Sequence, residues 1–143
     1  NRMLEEISGK AYVSVNKAVV TQASAAIPVV PLYVSLLFKV MKEKGLHEGC
    51  VEQIYRLFAE KMAETEVETD TDGRIRLDDW ELRSDVQNEV LKLWDKVDSG
   101  NIYALSDLEG FRADFFRLFG FDFPEVDYTS DVDVNVAIPS IQA

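Results

Sequence analysis

The chain has 143 residues, 26 acidic against 15 basic side chains, a net charge of −11 and 47% hydrophobic content. That length supplies one core and excludes two independent domains. The acidity excludes polyphosphate backbones and anionic membrane surfaces as partners, because no basic patch offsets it.

Arg2 to Ile7 reads as the last two turns of a helix closed by Gly9, which is how a chain cut from a longer one would begin. Ala11 to Val15 is short and β-branched directly after that helix end, which predicts a buried strand. Asn16 to Ile27 holds small and polar residues and predicts a loop in close approach to something. From Pro31, a favourable first helical position, the apolar run Leu32 to Lys44 predicts a helix buried on most faces, with Gly45 as its left-handed cap. The longest apolar stretch, Ala23 to Phe38, is broken by Pro28 and Pro31 and is too short for a clean membrane span, so a soluble protein is expected.

Val51, Ile54, Tyr55, Phe58 and Met62 recur at three and four residues, predicting an amphipathic helix whose stripe packs on the preceding helix or on a sheet. Glu66 to Leu77 alternates about an Asp72-Gly73 turn and predicts a small hairpin. Val86, Val90, Leu93, Trp94 and Val97 form another helical stripe. Ser106-Asp107-Leu108-Glu109 has capping-box spacing ahead of Phe111, Phe115, Leu118 and Phe119, and Gly120 closes that helix. Val132, Val134 and Val136 alternate with polar residues, predicting an extended or loose tail over 129–143.

The chemistry-bearing residues are few. Cys50 stands alone, without a disulfide partner, and no His/Cys cluster has zinc spacing, so no metal is expected and a reducing compartment is. His47 is the only histidine and reads as a cap or packing residue. Ser14 and Ser24 have no His/Asp partners for a triad. Glu68 to Asp79 approaches an EF-hand loop, with carboxylates at its first, third and fifth positions and glycine at the sixth. It departs at Glu68, where aspartate is preferred, and at Asp79, whose short side chain replaces the bidentate glutamate.

The run Val19-Val20-Thr21-Gln22-Ala23-Ser24-Ala25-Ala26-Ile27-Pro28-Val29-Val30-Pro31-Leu32-Tyr33 resembles the strand-to-helix segment of the trans-2-enoyl-CoA reductases and the FabV-type enoyl-ACP reductases. Phe38 to Gly45, His47 to Ile54, Arg74 to Leu82 and Leu118 to Phe121 follow in the family's order, so the likeness runs nearly to Tyr128. The resemblance implies an α/β fold, with this chain the C-terminal part of a Rossmann-type reductase. The piece itself would be mainly helical, with one sheet strand and a small β-hairpin.

Residues 1–143 would be one segment of a larger NAD-binding domain, with a nicotinamide loop and acyl-pocket helix at 11–45, a helical part at 46–128 and the tail at 129–143. The activity implied is NADH-dependent reduction of the 2,3 double bond of enoyl thioesters on CoA or acyl carrier protein, in fatty acid synthesis. Partners would be that substrate and the N-terminal part of the same enzyme, in the cytoplasm or mitochondrial matrix.

By resemblance Val19, Val20 and Thr21 hold the cofactor. Open α/β sheets collect ligands where strands end, and these residues follow the strand predicted at Ala11 to Val15. By the same resemblance Val30 and Phe38 line the acyl pocket. Phe111 stands in the substrate region where relatives usually carry tyrosine. No catalytic residue is expected in this chain. The family's Tyr-x8-Lys pair would lie upstream, and the seven glycines form no G-x-G-x-x-G pattern. Lys17 follows the strand and reads as structural or surface. A non-catalytic subunit descended from the reductase, or a calcium module at 68–79, are the alternatives.

Overall fold

The computed structural model describes residues 11–63 and 66–131. The helix end expected before Gly9, and the alternating valines beyond residue 131, lie outside the described residues. In chain order the elements are β1 (Val13–Val15), α1 (Gln22–Ala26), α2 (Val30–Glu43) and α3 (Cys50–Arg56), which runs on as a π-helical turn (Leu57–Lys61). Then come β2 (Arg74–Arg76), α4 (Ser84–Trp94), α5 (Ile102–Leu105) and α6 (Leu108–Arg117).

Helix α2 is the axis of the fold. Pro31 sits in its first turn, where a missing N–H costs nothing, and Gly45 closes it at φ 67°. One side of α2 gives Leu36, Leu37, Val40 and Met41 to a core shared with Val86 and Val90 of α4. The other gives Val34 and Phe38 to a second core with Phe111 of α6 and Val20. Each such fully buried aliphatic side chain stabilises the fold by roughly 1.5–3 kcal/mol. Helix α6 is capped by Asp107, which accepts the Gly110 N–H at 3.1 Å. The cap is therefore one residue later than the Ser106 box; the Ser106 hydroxyl is already donated to Ile102 O at 2.7 Å.

The sheet differs from the sequence expectation. β1 and β2 pair in parallel, with Val13 opposite Arg74 and Val15 opposite Arg76, and no hairpin forms among the described residues. The Asp70 carboxylate accepts the N–H groups of Asp72 and Arg74, each at 3.0 Å, so the chain makes a side-chain-closed turn instead of a ladder. β2 is then free to pair with β1, burying Ile75. β1 itself is not buried: Val13 is 64% exposed, because β1 has a neighbour on one side only among the described residues.

Two further expectations are corrected. The stretch 16–27 is not all loop, since Thr21 and Ser24 form a reciprocal capping box that starts α1. In α3 and its π-turn the apolar stripe packs on neither α2 nor the sheet among the described residues. Val51, Ile54, Tyr55 and Phe58 are exposed, while Gln53 and Arg56 are buried. Buried polar contacts fix the face that turns inward. The Arg56 guanidinium forks onto Glu48 at 2.7 and 2.8 Å, reaches Asp79 and Leu77 O, and lies 4.2 Å from the centre of the Trp80 ring.

Candidate functional site

The structure brings four of the six residues singled out by resemblance into one cluster. Val20, Phe38 and Phe111 are buried together, with Val30 packed against them. A cleft of about 310 Å³ opens beside this cluster, lined by Val19, Val20 and Phe38, by the turn Glu48 to Glu52, and by Arg117, Leu118 and Phe123. That volume is at the lower end of small-molecule sites. Val30 and Phe111 belong to the cluster and do not line the cleft.

The loop between β1 and α1 is held tightly at both ends and left open in the middle. At its entrance the Lys17 N–H donates to Gln53 Oε1 at 2.8 Å and the Ala18 N–H to Glu81 Oε2 at 2.7 Å, while Lys17 Nζ donates to Ala18 O at 2.9 Å. At its exit the Thr21 N–H donates to Ser24 Oγ at 2.7 Å, and Thr21 Oγ1 accepts the Ser24 N–H at 3.0 Å. Between these brackets, the backbone groups of Val19 and Val20 make no hydrogen bond among the described residues. Unpaired backbone groups beside a cleft are ready for a ligand that both donates and accepts.

The titratable groups nearby serve the scaffold. Lys17 is fully buried rather than at the surface, and burial pulls its ammonium below the usual lysine range against the opposing pull of Glu81, Glu48 and Asp114. The Tyr33 hydroxyl donates to Glu81 Oε1 at 2.7 Å, and burial together with that bond pushes it up to about 12. Neither side chain lines the cleft. His47 packs edge-on against Phe38 at 4.6 Å, and burial, reinforced by Lys17 and Lys42, lowers it to about 4.

The EF-hand pattern does not survive folding. Asp70 is paired with Arg74 and Arg76, Asp72 with Arg74, and Asp79 with Arg56 and Lys61. No group of three or more metal-ligating side chains occurs among the described residues. Conversely, Gln53 and Glu81 hold the loop yet carry no local sequence signal. They lie far along the chain from Lys17 and Ala18, inside segments that otherwise read as surface.

Two family models match the sequence: one described as the trans-2-enoyl-CoA reductase catalytic region over residues 1–63, and one described as an enoyl reductase FAD binding domain over residues 69–132. The chain belongs to the trans-2-enoyl-CoA reductase family. A trans-2-enoyl-CoA reductase (NADH) of Ruminiclostridium cellulolyticum is 57% identical over 141 residues, covering 99% of this chain and 36% of the relative. An enoyl-(acyl-carrier-protein) reductase (NADH) of Coxiella burnetii is 57% identical over 136 residues, 94% of this chain and 34% of the relative. The crystal structure of Treponema denticola trans-2-enoyl-CoA reductase in complex with NAD superposes with a TM-score of 0.84 at 51% identity, covering 92% of this chain and 34% of that one.

The chain thus spans about a third of the length of the curated reductases it matches. Within the family's region the boundary between the two matched segments is not a structural boundary. β1 pairs with β2 across it, and α2 packs on both α4 and α6. No helix among the described residues is long and apolar enough to cross a membrane.

Proposed function

We propose that this chain is the C-terminal part of an NADH-dependent reductase that saturates the 2,3 double bond of enoyl thioesters carried on CoA or acyl carrier protein, within a Rossmann-type domain. The observation that carries this reading is the open backbone of Val19 and Val20 at the exit of a parallel strand, beside an apolar cleft. A primary carboxamide, such as that of nicotinamide, donates and accepts at once and complements such a pair. The bound dinucleotide supplies the hydride. This chain's part is to orient it through the backbone of residues 19–20 and the Thr21 hydroxyl, which still has a proton to donate, and to exclude water with Phe38, which Val30 and Phe111 support by packing.

A flavin dinucleotide fits residues 69–132 poorly. Carboxylates heavily outnumber cations there. Arg74, Arg76, Arg83, Lys92 and Arg117 are each already paired with a carboxylate, leaving Lys96 and Arg112 among the described residues to neutralise a pyrophosphate. The tyrosine and lysine of proton transfer belong to the part of the enzyme upstream of this chain, so this chain alone is inactive. Its compartment is reducing, cytoplasm or mitochondrial matrix.

The test is NADH oxidation on crotonyl-CoA by the full-length polypeptide, with its intact mass, beside this chain alone. Turnover by a protein roughly three times the 16.2 kDa of this chain, and none by the chain itself, is expected. A full-length protein that neither binds nor oxidises NADH would overturn the reading.

A further inference from the structure

We infer that Glu81 is a positioning residue for the cofactor loop, acting through the backbone N–H of Ala18. The inference rests on the reading of residues 19–21 given above. Ala18 is held through both of its backbone groups, its N–H by Glu81 Oε2 at 2.7 Å and its carbonyl, which belongs to the next peptide, by the buried Lys17 ammonium at 2.9 Å. Both side chains are buried, Glu81 at 8% and Lys17 at 1% exposure, so these contacts hold without competition from water.

Ala18 is the last residue fixed before the open pair Val19 and Val20, and the Thr21–Ser24 box fixes the residue after them. The orientation of the open Val19–Val20 peptide is therefore set by its two fixed neighbours, and Glu81 acts on it without lining the cleft. The other oxygen of the same carboxylate accepts the Tyr33 hydroxyl at 2.7 Å, and Gln87 Nε2 donates to Glu81 O at 2.7 Å. Tyr33 belongs to α2, the helix that carries Phe38. One carboxylate from the segment after β2 thus joins the loop that would meet the dinucleotide to the helix that would cover the acyl chain. A ligand held by directional hydrogen bonds is sensitive to small displacements of its partners.

The experiment measures NADH affinity and steady-state kinetics of the full-length polypeptide for wild type, Glu81→Leu, Glu81→Gln and Asp79→Ala. Leucine leaves the Ala18 N–H without an acceptor, and NADH affinity is expected to fall at least tenfold while KM for the enoyl thioester moves less than threefold. Glutamine keeps one acceptor for Ala18 and is expected to stay within about threefold of wild type. Asp79→Ala removes a neighbouring carboxylate of the Arg56 network that does not reach the loop, and it controls for general loss of stability. Faster hydrogen exchange at residues 18–21 in Glu81→Leu alone is the accompanying signature.

Unchanged NADH affinity in Glu81→Leu, or an equal loss in Asp79→Ala, would overturn the inference. A wild-type protein that binds no NADH would instead overturn the functional reading on which it rests.

Discussion

Replacing Arg56 with methionine keeps an unbranched apolar stem close to that of arginine and removes the guanidinium with its charge. Arg56 is 3% exposed and its partner Glu48 is 6% exposed, and the two share a forked pair of bonds at 2.7 and 2.8 Å. A third bond at 2.7 Å satisfies the carbonyl of Leu77 at the end of β2. The substitution strands a buried carboxylate and a buried carbonyl together. Asp79 suffers less, because Lys61 remains at 2.8 Å. Breaking one side of a buried pair costs about 3–5 kcal/mol, a large fraction of the ~5–15 kcal/mol of a typical domain.

Urea unfolding of the full-length polypeptide followed by tryptophan fluorescence reads the loss, and hydrogen exchange localises it to α3 and β2. The double variant Glu48→Leu, Arg56→Met replaces the pair with apolar groups and should recover at least half of the loss. A single variant within about 1 kcal/mol of wild type, or a double variant as costly as the two singles added, would refute the claim that these polar contacts hold the inner face of α3.

His47 offers a pH test. Its folded value of about 4 lies below the unfolded value of 6.5, so the unfolded state binds the proton first and stability is lost as pH falls from 6.5 towards 4. Partial solvent contact reduces the full effect to about 1–2 kcal/mol, and His47→Gln should flatten stability over that window when unfolding is measured at pH 4.5 and pH 7. The pairs formed by Asp70 and Asp85, both held at about 2, weaken only at lower pH, so an unchanged slope between 4.5 and 7 in His47→Gln would refute the assignment. Val29, a β-branched residue at φ 75° just before α2, is strained by about 1–3 kcal/mol. Val29→Gly should raise stability by about 1 kcal/mol after the entropy of glycine is subtracted, and a fall in melting temperature would contradict that account.

The elements legible in the sequence were those marked by local chemistry. Helix α2 is bounded by Pro31 and Gly45, and α4 shows its core face through Val86 and Val90. The candidate site is legible by resemblance rather than by spacing, and Val20, Val30, Phe38 and Phe111 pack into one cluster. Periodicity found the helix at Val51 to Met62 but not its orientation. Alternation around Asp72-Gly73 suggested a hairpin because antiparallel and parallel strands share a period of two.

Local punctuation, apolar periodicity and charge are properties of short windows, and the sequence by itself determined these: where α2 and α6 end, which faces of α4 are apolar, and the strand that precedes the loop at 19–21. Partner choice is not such a property. Only the tertiary structure decided that β1 pairs in parallel with β2, that Arg56 and Gln53 face inward, and that Gln53, Glu81 and the Lys17 ammonium meet around the backbone of Lys17 and Ala18. Each depends on which buried donor finds an acceptor from a distant segment, and the cost of leaving either unpaired outweighs the local preference of any single helix face.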